Sequence, residues 1–217
     1  MNVLRLRYVK GGLERLEEHG KVIIKPQENK GHWESLFSNN NPIHVEFGSG
    51  RGGFIVKIAE KNPNINYLAF ERNSKVIIRG LNKLPENPPT NFYFVHSDIK
   101  KIEDIFNFNE IQRIYLNFSD PWPKKKHNRR RLTYRGFLKL YENILIPNGE
   151  LHFKTDNNGL FEFSLEELKE RGWKVMMITR DLHNSEYIEG NSMTEYEEKF
   201  VQRGQLINKF VAISPKK

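Results

Sequence analysis

Seven short apolar runs punctuate this sequence, and helix-length amphipathic stretches separate most of them. The strand candidates are Ile43–Phe47, Tyr67–Phe70, Phe92–Val95, Ile111–Leu116, Gly149–Phe153, Trp173–Thr179 and Leu206–Ile213. Phe54–Lys61, Lys75–Leu84, Phe137–Leu145 and Leu160–Arg171 carry apolar residues at helical spacing, and Gly172 ends the last of them. Strands alternating with helices predict an α/β domain with a largely parallel sheet. A polar stretch with a short helical signal, Thr194–Arg203, separates the last two strands. No internal repeat or low-complexity linker interrupts the pattern. Residues 1–40 precede the alternation, are rich in Lys, Arg and Glu, and are predicted to form a partly mobile extension. Residues 41–217 are predicted to form a single domain.

The chain has 217 residues, enough for one well-buried core, with 37% hydrophobic and 29% charged residues. That balance excludes an intrinsically disordered chain. Cysteine is absent, which removes disulfide and thiolate chemistry and fits a reducing compartment. The N-terminal MNVLRLRYVKGG has no apolar core of a signal peptide, and no run approaches membrane-spanning length. A cytoplasmic protein is expected. The net charge of +8 suits a polyanionic partner, although many basic proteins bind none.

The first strand runs into Glu46-Phe47-Gly48-Ser49-Gly50-Arg51-Gly52-Gly53. In an open α/β sheet this turn faces the ligand crevice at the carboxyl ends of the strands. Gly48, Gly50 and Gly53 satisfy the GxGxxG dinucleotide fingerprint, and Glu71 lies near the spacing of a ribose-binding acid, so a nicotinamide enzyme is one reading. Glu46 argues against it, because a carboxylate beside the turn repels a pyrophosphate and suits an ammonium or a sulfonium. Asp98, after the third strand, adds another acid. Glu46, Glu71 and Asp98 thus sit at three successive strand ends. In the plainest reading the glycines serve only a tight turn and the acids are solvated. The ExGxGxG run resembles the first motif of class I S-adenosylmethionine-dependent methyltransferases. That resemblance places Glu46 near the methionine end of the cofactor, Glu71 at the ribose and Asp98 at the adenine.

Asn117-Phe118-Ser119-Asp120-Pro121-Trp122-Pro123 follows the fourth strand and should lie on the same face. Pro121 and Pro123 stiffen the loop. Trp122 offers a stacking surface for a planar base, or else a core side chain. Six Lys and Arg residues follow between positions 124 and 131. Such a run is usually a solvated face, but beside a reactive loop Lys124, Lys125, Lys126, Arg129, Arg130 and Arg131 become candidates for a phosphate clamp.

With these motifs the chain resembles the bacterial tRNA (guanine-N7-)-methyltransferases from about Glu46 to Phe210. DPWPKKKHNRRRL is the most specific element, joined by Phe153-Lys154-Thr155-Asp156-Asn157 and by Thr194-Glu195-Tyr196-Glu197. The resemblance implies a Rossmann-like class I methyltransferase fold: a seven-stranded, mostly parallel sheet with an antiparallel last strand and helices on both faces. It implies methyl transfer from S-adenosylmethionine to N7 of a guanosine in the tRNA variable loop, position 46 in tRNA numbering. Another RNA base nitrogen is the alternative acceptor. By the same resemblance Glu46, Gly48, Gly50, Glu71, Asp98 and Asp120 contact the cofactor, and Asp120 is catalytic. Lys124, Asp156, Thr194, Glu195, Tyr196 and Glu197 contact tRNA. On the residues alone, Asp156 reads as a helix-capping acid and Thr194 with Glu197 as a capping box. No metal site, membrane contact or obligate protein partner is expected, and the chain is expected to be a monomer or homodimer.

Overall fold

The structure, a computed structural model, describes residues 12–215. In chain order it contains α1 (Gly12–Glu17), β1 (Val22–Ile23), α2 (Trp33–Phe37), β2 (Ile43–Phe47), α3 (Gly53–Lys61), β3 (Asn66–Glu71), α4 (Ser74–Leu81) and β4 (Phe92–His96). Then follow α5 (Ile102–Ile105), β5 (Ile111–Asn117), α6 (Arg135–Ile144), β6 (Leu145–Thr155), α7 (Asn158–Glu170), β7 (Lys174–Thr179), α8 (Glu195–Val201) and β8 (Asn208–Ile213). The strands form one sheet in the order β1-β4-β3-β2-β5-β6-β8-β7. Pairings from β1 through β6 are parallel, while β8 runs antiparallel to both β6 and β7.

The sheet has eight strands, not the seven expected. The additional one, β1, pairs with β4 through Val22 and Ile23 alone, too short a run to show a strand period. The segment set apart as an extension therefore contributes to the core from α1 onward. Leu16 and Trp33 are fully buried, and the Trp33 indole N–H donates to the Ile105 carbonyl at 3.3 Å. The expectation of mobility for residues 1–11 lies outside the described residues.

Strands buried on both faces need apolar residues of both parities. In β3, Leu68 and Phe70 join the core under α2, α5, α6 and α7, while Tyr67 and Ala69 join the core under α1, α3 and α4. β4 divides likewise, with Val95 on the first side and Phe92 and Phe94 on the second. The second core fades toward β5 and β6, where Arg113, Asn117, His152 and Lys154 line the edge of a cavity. No described helix is long and apolar enough to cross a membrane.

Successive strands leave β2 in opposite directions, with β3 on one side and β5 on the other. The carboxyl end of β2 is thus a topological switch point, where an open sheet leaves a crevice. α4 approaches the turn that follows β2 closely at Gly80, whose added Cβ would lie 2.5 Å from the Arg51 carbonyl oxygen. Alanine in a helix interior is normally about 1 kcal/mol better than glycine. Gly80→Ala is expected to invert that sign and cost about 1–3 kcal/mol through overpacking. A thermal midpoint at or above the parent's would contradict the close contact.

Candidate active site

The turn after β2 is held across the end of β3. The N–H groups of Gly48 and Ser49 both donate to the Phe70 carbonyl, each at 2.9 Å. Gly48, Gly50 and Gly52 take positive φ values of 76°, 59° and 74°. A Cβ at Gly48 or Gly50 would meet nothing within 4 Å, so these glycines leave open space beside the turn. Close helix–strand packing falls to Gly52, whose Cβ would lie 2.5 Å from the Phe94 ring. Gly53, the third glycine of the fingerprint, does not perform that role.

Beyond the turn lies a cleft of about 630 Å³, and Gly48, Glu71, Asp98 and Asp120 all line it, with Trp122 and Arg130. Three of the acids expected to act together do share one cavity. The Glu71 carboxylate accepts the Asn73 N–H at 2.8 Å; burial pushes its pKa up, and backbone donors from Asn73, Gly50 and Arg72 pull it back. Asp98 caps a short 3-10 turn by accepting the Lys100 N–H at 2.9 Å.

Glu46 lies deeper, 2% exposed within β2. Asn117 Nδ2 donates to its Oε1 at 2.8 Å, and Oε2 is buried with no hydrogen-bond partner in the protein. Burial raises its pKa to about 7, against the opposing pull of the Asn117 bond and the Lys154 charge.

The acid–aromatic–proline loop is backbone-strained on both sides of Asp120. Phe118 and Trp122 adopt φ values of 52° and 41°, a region that costs bulky residues about 1–3 kcal/mol each. The Phe118 N–H donates to the Lys154 carbonyl at 2.8 Å, tying the loop to β6. Asp120 is exposed at the cleft. Trp122 is half-buried, with the Arg130 guanidinium 4.8 Å over its ring and His127 edge-on at 5.7 Å. The basic run forms a 3-10 turn over Lys125–Arg130, which leaves Lys124, Lys125, Lys126 and Arg129 exposed, while Arg130 lines the cleft. Arg131 instead turns inward to the loop carbonyls.

A family profile described as "Putative methyltransferase" matches residues 40–210. Two curated proteins named tRNA (guanine-N(7)-)-methyltransferase are similar over nearly the whole chain. The one from Lachnoclostridium phytofermentans is 48% identical, covering 98% of this chain and 100% of that one. The one from Bacillus cytotoxicus is 47% identical, covering 94% of each. The chain belongs to the tRNA (guanine-N7-)-methyltransferase family. In fold it is similar to the 16S rRNA methyltransferase KamB, with a TM-score of 0.64 at 13% identity, covering 85% of this chain and 94% of that one.

In this methyltransferase the segment before β8 straps the strand ends. Thr194 caps α8, and the capping box forms: the Glu197 N–H donates to Thr194 Oγ1 at 2.9 Å. Glu197 itself is fully buried, its carboxylate taken by Lys154 Nζ at 2.6 Å, Asn191 Nδ2 at 2.8 Å and His183 at 3.1 Å. Glu195 pairs with Lys83 at 2.7 Å and Arg51 at 3.6 Å, joining α8 to the turn after α4 and to the glycine turn. Tyr196 is exposed, stacks on Phe200 and meets the Phe118 ring at 4.9 Å. Asp156 follows β6 near Tyr196, and the helix cap there is Asn157, which accepts the Leu160 N–H at 2.8 Å. Among the described residues no group of His, Asp or Glu side chains is placed to hold a metal ion.

Lys154 and Asn117 are the site residues that motif reasoning did not assign a role. A lysine between the buried Phe153 and Thr155 was the available signal, because a charge inside a core strand needs a buried partner.

Two outcomes test this electrostatic frame. Glu197→Ala leaves the Lys154 ammonium buried and unpaired and is expected to cost about 3–5 kcal/mol. Thr194→Ala, which removes only a cap, is expected to cost about 1 kcal/mol. Equal losses in chemical denaturation would contradict the buried pair. Glu46 binds its proton more tightly folded, at about 7, than its ordinary 4.5, so its contribution to stability is fullest below the lower value and is lost as pH rises through the higher. Glu46→Gln is therefore expected to flatten the fall in thermal midpoint between about pH 5 and about pH 8; an unchanged slope would exclude Glu46 as its source.

Proposed function

We propose that this protein transfers a methyl group from S-adenosylmethionine to N7 of a guanosine in the variable loop of tRNA. The observation that carries this reading is one cleft holding Gly48, Glu71, Asp98 and Asp120, with Arg130 of the following basic turn on its wall. Acids inside suit a cationic small molecule, and cations at the rim suit a polyanion.

The residues fit the cofactor. The unpartnered Oε2 of Glu46 offers an acceptor for an ammonium, the Glu71 carboxylate an acceptor for ribose hydroxyls, and Asp98 an acceptor for the adenine amine. Gly48 and Gly50 keep open space where side chains would intrude. S-adenosylmethionine, when bound, supplies an electrophilic methyl group on a sulfonium. A nicotinamide dinucleotide fits less well, since its pyrophosphate would face a carboxylate-lined turn.

Guanine N7 is an unprotonated acceptor on the Hoogsteen edge, so the chain needs no general base to make a nucleophile. Its work is positioning and charge stabilisation. Methylated guanine is cationic, and Asp120, exposed on the cleft wall, is the carboxylate available to offset that charge. Asp156 and Tyr196 stand near each other beside the loop, where they can hold the base. Lys124, Lys125, Lys126, Arg129 and Arg130 would carry the phosphate contacts, and Thr194 and Glu195 are further tRNA contacts by the family resemblance.

The direct test is incubation of unmodified tRNA with S-adenosylmethionine, followed by base-level identification of the product. Methylation at an exocyclic amine or at adenine would replace the N7 reading with another RNA base nitrogen. Asp120→Ala is expected to lose most turnover while keeping measurable tRNA binding, and near-normal methylation would remove its catalytic role. Neutralising Lys124 and Arg129 should weaken tRNA binding and flatten its salt dependence by about one unit of slope per lost contact; a parental slope would take them off the interface.

A further inference from the structure

We infer that Arg131 is a positioning residue for Asp120, holding the acid–aromatic–proline loop in its strained form, and not a phosphate contact. The inference rests on the methyl-transfer reading above. Arg131 Nε donates to the Pro121 carbonyl at 2.9 Å, and its Nη2 donates to the Trp122 carbonyl at 3.1 Å. One planar guanidinium thus bridges two consecutive carbonyls immediately after Asp120. The group is itself fixed, lying 4.2 Å from the Phe163 ring centroid on α7, while its backbone N–H closes the preceding turn onto Asn128 at 3.0 Å.

The prolines deny the loop closing bonds of its own onto the Asp120 and Phe118 carbonyls, so the loop is held from outside, at the next two carbonyls. A turn spanning Asp120 to Pro123 would ordinarily close with the N–H of its fourth residue, which proline lacks. Pro121 is equally unable to donate back to Phe118. Among the described residues no backbone N–H donates to the Pro121 or Trp122 carbonyl. The left-handed backbone of Trp122, with φ of 41°, sits between those two carbonyls and persists because both are gripped. A lysine reaches one carbonyl as a point charge but cannot reproduce the fork or the flat contact with Phe163. The neighbouring Arg130 acts on the other side of the same loop, over the Trp122 ring, and faces the cleft.

Arg131→Met, Arg131→Lys and the exposed comparator Arg129→Met separate the roles in the full-length protein. The readouts are acrylamide quenching of tryptophan fluorescence, tRNA affinity across salt, and kcat at saturating tRNA. Trp33 and Trp173 are buried, so added quenching reports on Trp122. Arg131→Met is expected to raise quenching and lower kcat by about 100-fold, the scale of a small misplacement of a reacting group, while the salt slope stays at the parent's value. Arg131→Lys should recover part of kcat, and Arg129→Met should lower the salt slope without added quenching. A lowered salt slope with parental kcat and quenching in Arg131→Met would overturn the inference. If the methionine variant does not fold, Arg131→Lys decides alone: reduced kcat with parental affinity supports positioning, and parental kcat refutes it. A parent enzyme that leaves guanine N7 unmethylated would sink the functional reading, and the quenching comparison would still test the clamp on the loop.

Discussion

Lys154 joins the parts of this site. Its carbonyl receives the Phe118 N–H and so anchors the strained loop, while its ammonium is buried against Glu197 and the Ser192 carbonyl. Its charge also tempers the raised pKa of Glu46. Two ions leave water at a cost of several kcal/mol each, and their attraction offsets that cost only where further hydrogen bonds complete the site. Asn191 and His183 supply them on Glu197. One strand residue thereby connects the loop after β5, the strap before β8 and the acid under the glycine turn.

Charged side chains of both signs gather around that centre. Glu71, Asp98 and Asp120 line the cleft together with Arg72, Lys100 and Arg130, Glu46 is buried within β2 with half of its carboxylate unpartnered, and Lys124 to Lys126 and Arg129 are exposed in the turn after Asp120. They meet because the switch point of the sheet gathers the ends of β2, β3, β4 and β5. The strap adds ion pairs of its own, Glu195 to Lys83 and Arg51 and Glu198 to Lys57, which hold α8 over the glycine turn. These are half-exposed pairs, individually weak, and they orient the strap more than they stabilise it.

Much of this was legible in the chain. Strands between helices announced the parallel sheet, the glycine turn with Glu71 and Asp98 at strand ends pointed to the cleft they line, and Thr194 with Glu197 announced a capping box that forms. The two-residue β1 was hidden because two residues carry no period. The early part of β6, where Leu145 pairs with Ile111, was read as the end of a helix because an apolar residue at a boundary fits either element. Gly52 and Gly80 escaped because their need for glycine comes from Phe94 and Arg51, distant in sequence.

The sequence by itself determined the order of elements, the residue types at the strand ends and the concentration of positive charge after Pro123, since these follow from local periodicity and composition. Only the tertiary structure decided which of those residues face which partner. Six basic side chains look alike in the run, yet Arg131 turns to Pro121 and Trp122 while Lys124 to Lys126 and Arg129 remain in solvent. Glu195 and Glu197 are two residues apart, yet one is a half-exposed tether and the other a buried counter-ion. The physical reason is the same in both cases: a charge keeps its water unless packing from elsewhere in the chain removes it and supplies hydrogen bonds in return, and that packing is not a local property.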